Sequence, residues 1–294
     1  MTNRDKNSAT QTKTLRLREL LSARALAIPG AFNALVALQI ERAGFEIAYV
    51  SGAAISACRG VPDIGLLALS DMAAEAERIA RAVSIPTIVD ADTGYGGPAQ
   101  VAEAVRVFEE ADLAGMQIED QDTAKKCGHL SGKRLVSRGE MAAKIEAAVQ
   151  AKKDRNFMIV ARTDARGVEG LEAAVQRATT YVEAGADALF PEALESAEEF
   201  RTFAREMAKG GITVPLIANM TEFGKTPLLS VAEFESLGYH GVLFPVTGLR
   251  TALQAIDRLL GELKLFGSQK DWLHHMMTRR ELYSLLRYTD SHER

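Results

Sequence analysis

Residues 122–133, DTAKKCGHLSGK, contain one of only two cysteines in a chain of 294 residues. Cys127 follows Lys125 and Lys126 and is followed two residues later by His129. Nearby cations stabilise a thiolate, so a cysteine in this setting is a candidate proton donor or nucleophile. A solvated surface loop can carry similar charges, so the segment alone leaves both interpretations open.

Acidic residues that follow two apolar runs form a candidate metal site. In DADTGYGG (90–97), Asp90 and Asp92 are two residues apart at the end of such a run. Residues with this spacing at a strand end point to the same side. Glu119 would supply a third carboxylate, and oxygen ligands without His or Cys favour Mg²⁺ or Mn²⁺ over zinc. A simple turn role for Asp92 stays open, because aspartate is common in turns.

The same stretch also matches a weaker pattern for dinucleotide binding. GYGGPA (94–99) satisfies G-x-G-x-x-A, and Glu119 and Asp120 follow about 20 residues later. Asp90 and Asp92, however, would place two negative charges where a pyrophosphate has to bind. We therefore favour the metal site.

Eight short apolar runs alternate with helical patterns, as in repeated strand-helix units around a parallel sheet. The runs are ALAI (25–28), IAYV (47–50), TIVD (87–90), GMQI (115–118), FMIV (157–160), ALF (188–190), LIA (216–218) and VLF (242–244). Serine-glutamate pairs three residues apart predict capping boxes at Ser137, Ser196 and Ser230. The pattern predicts an α/β fold, a (β/α)₈ barrel over residues 21–264. A flexible segment (1–20) would precede it and extra C-terminal helices (265–294) would follow.

In such a barrel the catalytic groups lie where strands end and loops begin. The corresponding positions here are Ser51, Gly52, Asp90, Asp92, Glu119, Asp120, Arg162, Asp164, Glu192, Asn219, Thr221 and Thr247. Any one of them could be an ordinary loop residue, but seven consecutive polar strand ends predict a site. Arg162 and Arg250 can each hold a carboxylate through paired hydrogen bonds, which predicts an anionic substrate.

Composition argues against several classes of partner. A net charge of −4 with intermixed signs provides no basic surface for nucleic acid or for a membrane. No apolar run approaches the roughly 20 residues of a membrane span, and MTNRDKNSATQTKT lacks the apolar core of a signal peptide. Two cysteines without C-x-x-C support neither a disulfide framework nor a structural zinc site. We expect a cytoplasmic protein that binds small molecules or further copies of itself.

Six segments together resemble one known family. They are KKCGH (125–129), DADTGYGG (90–97), IEDQ (118–121), VARTDARGVEGL (160–171), FPEA (190–193) and NMTEFGKTPL (219–228). They resemble the isocitrate lyase and phosphoenolpyruvate mutase superfamily, and within it the enzymes that cleave 2-methylisocitrate to pyruvate and succinate in propionate breakdown. The resemblance implies dependence on Mg²⁺, with Mn²⁺ as a substitute. It also implies a homotetramer whose subunits exchange a C-terminal helix.

The resemblance implies roles for individual residues as well. Asp90 and Asp92 would bind Mg²⁺, and Glu119 would hold metal-bound water. Contacts to a di- or tricarboxylate substrate would come from Ser51, Gly52, Ala53, Cys127, Gly128, Arg162, Glu192, Asn219, Met220, Thr221, Arg250 and Arg279. Cys127 would be the acid that protonates the succinate carbanion, with Lys125 and His129 setting its pKa. Tyr49 is a candidate base for the substrate hydroxyl.

Two departures from the family pattern concern the choice of substrate. Many enzymes acting on 2-methylisocitrate have Gly in place of Ala53 and Arg in place of Lys126, and KKCGH also occurs in isocitrate lyases. Those lyases are longer and carry a Ser-Pro-Ser type sequence in place of NMTEFG, so we expect the methylated substrate. An apolar wall of Phe190, Leu243 and Pro245 would surround its methyl group. Alternatives are a related enzyme for isocitrate, 2,3-dimethylmalate, oxaloacetate or a phosphonate, or a catalytically silent binding barrel.

Overall fold

A computed structural model describes residues 11–123, 125–126 and 132–288. Its eight strands are β1 (Leu26–Ala31), β2 (Ala48–Val50), β3 (Thr87–Asp90), β4 (Gly115–Glu119), β5 (Met158–Thr163), β6 (Ala188–Pro191), β7 (Ile217–Asn219) and β8 (Gly241–Phe244). All strand pairs are parallel, in the order β6-β5-β4-β3-β2-β1-β8-β7. A bridge between Leu189 and Leu216 joins the two outermost strands. The sheet is therefore a nearly closed barrel, as predicted.

Helices connect successive strands and surround the barrel. They are α1 (Lys13–Ala23), α2 (Ala34–Arg42), α3 (Gly52–Cys58), α4 (Leu69–Ala82), α5 (Pro98–Glu110), α6 (Arg138–Ala151), α7 (Leu171–Glu183), α8 (Ala197–Lys209), α9 (Val231–Ser236), α10 (Thr247–Phe266) and α11 (Arg279–Leu285). Short 3₁₀ turns cover Ala165–Gly167 and Lys270–His275. None of the helices in these described ranges is long and apolar enough to cross a membrane.

Three serines begin helices, as the capping pattern predicts. Ser137 and Ser230 form complete capping boxes with the glutamates three residues later. Ser196 accepts a hydrogen bond from the Glu199 backbone, but the Glu199 carboxylate binds Arg166 at 2.7 and 2.9 Å. The third box is thus only half formed, because the Glu199 carboxylate binds Arg166 and the backbone N–H of Glu195 in place of the Ser196 N–H.

The strands are almost continuously apolar because both of their faces are buried. Side chains such as Ile28, Ile88 and Val160 fill the barrel interior, whereas alternate residues such as Val89 and Ile118 pack against the helices. The interior layer ends near the carboxyl ends of the strands. The next inward positions there are polar.

Helix α1 corrects the predicted flexible segment 1–20. Leu17 and Leu21 are fully buried and belong to the cluster in the barrel interior. Arg18 anchors the helix by donating to Asn156 O at 2.8 Å and to Asp187 Oδ1 at 2.6 Å. The amino end of the barrel needs an apolar cover, and α1 provides it, so residues 13–20 belong to the folded body.

Candidate active site

A cavity of about 110 Å³ lies at the carboxyl ends of the strands, where the barrel fold predicts the site. Predicted residues that line it are Tyr49, Ser51, Ala53, Asp90, Glu119, Lys125, Arg162, Asn219, Thr221 and Arg250. Residues from six different strand ends thus meet in one space. Cys127, Gly128 and His129 lie outside the described residues.

Four other predicted residues are buried beside the residues that line the cavity: Asp92, Gly52, Glu192 and Met220. Asp92 contacts Lys125, and Gly52 approaches Asp90 so closely that an added Cβ would lie 2.9 Å from its carboxylate. Glu192 is fully buried and accepts a hydrogen bond from Asn219 Nδ2 at 3.1 Å. Met220, also buried, accepts a weak hydrogen bond through its sulfur.

Arg279 is a predicted substrate contact that lies away from the cavity of its own chain. It is exposed, it begins α11, and it is not among the cavity-lining residues. Helix α11 contacts α2 on the outside of the barrel. Within a single subunit, Arg279 therefore does not meet the other predicted substrate contacts.

Strand pairing explains why the charged side chains are neighbours. In the β4–β5 ladder Glu119 is opposite Arg162, and in the β5–β6 ladder Arg162 is opposite Phe190. Side chains at paired positions of adjacent strands project to the same face, about 5 Å apart. The Arg162 guanidinium consequently lies over the Phe190 ring at 5.2 Å and within 3.3 Å of Glu119 Oε2.

Lys125 lies among the carboxylates of the predicted metal site. Its ammonium contacts Asp92 and is 2.6 Å from Asp63 Oδ1, with only 5% of the residue exposed. Burial by itself would lower the pKa of Lys125, but the carboxylates of Glu119 and Asp92 raise it well above its usual value. Lys125 is therefore a fully charged counter-ion to these acids.

Asp63 is a site residue that the sequence interpretation missed. It lies in the connection between α3 and α4 rather than at a strand end, yet it lines the cavity and pairs with Lys125. A Pro-Asp pair is ordinary turn sequence, so no local signal distinguished it. Gln117, which accepts the hydrogen bond of the Tyr49 phenol, was also missed, because it lies inside strand β4 and not at the strand end.

The acids of this site fit a hard cation. Burial raises the pKa of Asp90 to about 6, with Asp92 adding to the effect, and burial raises that of Glu119 to about 8. Such carboxylates are costly to ionise without a nearby cation. One cation is present, because the Lys125 ammonium pairs with Asp63 and Asp92. In the described part of the chain, no three His, Cys, Asp or Glu side chains form a complete metal cage. Mg²⁺ often uses one or two protein carboxylates and completes its shell with waters and substrate, so the acids remain compatible with it.

Tyr49 has the geometry of a hydrogen-bond donor. Its phenol donates to Gln117 Oε1 at 2.7 Å. Burial, assisted by the charge of Asp90, raises the pKa of Tyr49 well above its usual value. The phenol therefore keeps its proton, which is donated to Gln117, and toward a ligand its oxygen is an acceptor; its predicted role as a base stays a prediction.

Comparison with known proteins extends these observations over nearly the whole chain. A family model described as phosphoenolpyruvate phosphomutase matches residues 17–264. A 2-methylisocitrate lyase of Bacillus subtilis (strain 168) is 49% identical over 287 residues, which are 97% of this chain and 93% of that protein. The crystal structure of a 2,3-dimethylmalate lyase has a TM-score of 0.87 and 36% identity, covering 94% of this chain and 92% of that one. A phosphonopyruvate hydrolase complex with oxalate and Mg²⁺ has a TM-score of 0.85 and 31% identity, covering 94% and 95%.

Proposed function

The chain belongs to the phosphoenolpyruvate phosphomutase family, and from this membership we propose that it is a carbon-carbon lyase that cleaves 2-methylisocitrate to pyruvate and succinate. The observation that carries the proposal is the 49% identity to a 2-methylisocitrate lyase over 97% of the chain. The cavity supports it, because buried acids and Arg162 meet there, as a polycarboxylate substrate and its metal require.

In the proposed reaction a base, the role predicted for Tyr49, takes the proton of the substrate hydroxyl. The adjacent carbon-carbon bond then breaks and leaves its electron pair on the succinate carbon, which gains a proton. Arg162 holds the carboxylate of the pyruvate-forming half, and the Tyr49 oxygen, whose own proton is donated to Gln117, accepts a hydrogen bond from the substrate hydroxyl. Mg²⁺, with Asp90 and Asp92 as ligands and Glu119 holding its waters, would supply Lewis-acid polarisation when bound. Cys127 donates the proton to the succinate carbon, a role that rests on the sequence.

An apolar wall supports the choice of the methylated substrate. Phe190 and Leu243 are each 2% exposed, and both line the cavity together with Pro245. The Arg162 guanidinium lies over the Phe190 ring at 5.2 Å, so the apolar wall adjoins the carboxylate-binding group and can enclose a methyl group beside it. Isocitrate, which lacks the methyl, would leave that space unfilled.

We expect 2-methylisocitrate to be preferred over isocitrate by roughly 10- to 200-fold in kcat/KM, the scale set by burying one methyl group. Release of the oxo-acid product should be measured for both, with 2,3-dimethylmalate and phosphonopyruvate in the same panel. Leu243→Ala should reduce the preference, because it opens the apolar wall. If isocitrate has the higher kcat/KM, the substrate assignment is wrong while family membership stands.

We further propose a homotetramer in which C-terminal helices are exchanged between subunits. Only Leu249 of the 20-residue helix α10 is buried, and its exposed apolar residues are Leu253, Ile256, Leu260, Leu265 and Phe266. Such a stripe usually packs against a partner. Exchange could also carry Arg279 to a neighbouring cavity.

Sedimentation equilibrium should therefore give about four times the 31.8 kDa chain mass. Leu253→Glu combined with Leu260→Glu should lower that mass, because both charges would fall within the stripe. Glu262→Lys, a substitution of an already charged residue on the same helix, is the control and should leave the mass unchanged. A monomeric wild-type protein would contradict the proposal.

A further inference from the structure

One buried carboxylate connects the arginine of the cavity with a lysine at the end of the cysteine-bearing segment. Asp164 is fully buried, and its Oδ2 accepts from Arg162 Nε at 2.9 Å. Its Oδ1 accepts from Arg162 Nη2 at 3.1 Å and from Lys133 Nζ at 2.7 Å. We propose that Asp164 and Lys133 are positioning residues, which hold the substrate-binding arginine and the segment carrying Cys127 on one shared anchor.

Asp164 determines which part of Arg162 can receive a substrate carboxylate. The two hydrogen bonds occupy the Nε–Nη2 edge of the guanidinium, and this paired geometry fixes the plane of the group. Nη1 is not bonded to Asp164 and lies 3.5 Å from Glu192 Oε2. The Nη1 end of Arg162 is thus the part of the guanidinium that Asp164 does not occupy, and a substrate carboxylate would bind there beside Glu192.

The backbone of Asp164 is itself held in place from behind by Asp120. Asp120 Oδ1 accepts from the Asp164 N–H at 2.9 Å, and Oδ2 accepts from Thr163 Oγ1 at 2.7 Å and from Tyr181 OH at 2.8 Å. Arg177 donates to the same Tyr181 oxygen at 3.1 Å. These contacts join the ends of strands β4 and β5 to helix α7. They fix the backbone that carries the Asp164 carboxylate.

Lys133 ties one end of the cysteine-bearing segment to this point. Its side chain is only 2% exposed, and it immediately precedes a short antiparallel pairing in which Gln121 is opposite Leu135. In that pairing Asp122 N donates to Arg134 O, and Val136 N donates to Asp120 O, each at 2.9 Å. The C-terminal end of the segment is thus bound through both its backbone and one buried ion pair.

The other end of the segment is tied to the site through Gln121. Its side-chain Nε2 donates to Glu119 Oε1 at 3.0 Å and to Lys126 O at 2.8 Å. Its Oε1 accepts from Lys126 N at 2.9 Å. Glu119 contacts Arg162, and so does Asp164. One end of the segment is therefore linked to the Arg162 guanidinium through Gln121 and Glu119, and the other end through Asp164.

A purely structural role is the competing explanation, because burying an ion pair is by itself weak evidence for any function. The two explanations differ in their kinetics. Lys133→Met leaves both Asp164–Arg162 hydrogen bonds in place, so ligand affinity should persist while the segment loses its tether. Asp164→Asn weakens the contact with Arg162 and the contact with Lys133 together.

The test compares Lys133→Met and Asp164→Asn with a matched control, Lys152→Met. Lys152 forms a buried pair with Asp187 at 2.6 Å, at the amino end of the barrel away from the cavity. Oxalate binding in the presence of Mg²⁺ is measured by calorimetry, together with kcat, KM and the melting temperature. Oxalate serves as a carboxylate probe that needs no turnover.

Lys133→Met should keep oxalate affinity within about 3-fold and lower kcat by roughly 10- to 100-fold, the scale of a small displacement of catalytic groups. Asp164→Asn should weaken oxalate binding and raise KM by roughly 10- to 100-fold in addition. Lys152→Met should lower the melting temperature without either kinetic change. Lys133→Arg, which retains the charge, should recover part of kcat.

Unchanged kcat in Lys133→Met, or the same kinetic loss in Lys152→Met, would overturn the proposal. So would a loss of oxalate affinity in Lys133→Met equal to its loss of kcat. The expected change in kcat rests on the proposed function, whereas the expected change in oxalate affinity does not. If the wild type fails to cleave 2-methylisocitrate while Asp164→Asn still weakens oxalate binding, the function is wrong and the positioning of Arg162 stands. If Asp164→Asn does not fold, the Lys133 variants still decide the question.

Discussion

Removal of divalent cations with EDTA should abolish cleavage of 2-methylisocitrate, and Mg²⁺ or Mn²⁺ should restore it. Asp90 and Asp92 are buried oxygen donors, and burial together with the charge of Asp92 raises the pKa of Asp90, so a hard cation should bind there. Asp92→Ala should lower turnover by roughly 10²- to 10⁴-fold, since metal polarisation supplies several kcal/mol. Added Mg²⁺ should restore that variant poorly. Full turnover after EDTA treatment would contradict the mechanism.

Asp112 provides the matched control for this variant. It has the same left-handed backbone as Asp92, with φ of 66° and 49° respectively, but its carboxylate binds Lys13 far from the cavity. Asp92→Asn and Asp112→Asn therefore change the same group in the same backbone conformation, one that asparagine tolerates. Only the first should lose Mg²⁺ binding in calorimetry.

The same calorimetry should show that Mg²⁺ affinity rises with pH between about 6 and 8. The pKa of Asp90 is raised to about 6 and that of Glu119 to about 8, so protons occupy these carboxylates as the pH falls through this range. A metal binds the deprotonated form, and protons and Mg²⁺ therefore compete. Proton release on binding, measured in two buffers of different ionisation enthalpy, checks the sign. An affinity independent of pH would contradict the raised pKa values.

Cys127→Ser should lower turnover by roughly 10²- to 10⁴-fold, the effect of losing a general acid or base. A serine hydroxyl has a pKa several units above that of a thiol, so it is a poor proton donor to the succinate carbanion. Mg²⁺ binding should be unchanged. Cys58→Ser is the control, because Cys58 is exposed and ends helix α3 away from the cavity. Retention of more than about a tenth of wild-type turnover by Cys127→Ser would contradict the assignment.

The strands and the carboxylates at their ends were predictable from the sequence because both depend on local patterns. TIVD at residues 87–90 coincides with strand β3, and each of the other seven apolar runs overlaps a strand. A strand buried on both faces requires such a run, wherever the rest of the chain lies. Parallel strands then bring their carboxyl ends to one edge, so Asp90, Glu119 and Arg162 could be grouped before any contact was known.

Other features depend on contacts between residues far apart in the chain, and only the tertiary structure decides them. No local pattern marks Leu17, which belongs to the interior cluster because α1 covers the barrel. Nor does a local pattern mark Asp63, which belongs to the site because it pairs with Lys125. The pairing of Lys133 with Asp164 joins residues 31 positions apart. Side chains in loops choose partners by where the folded backbone places them, because neither periodicity nor capping constrains them locally. The sequence thus determined the barrel and its acidic strand ends, whereas the counter-ions and anchors that orient the site follow from long-range packing.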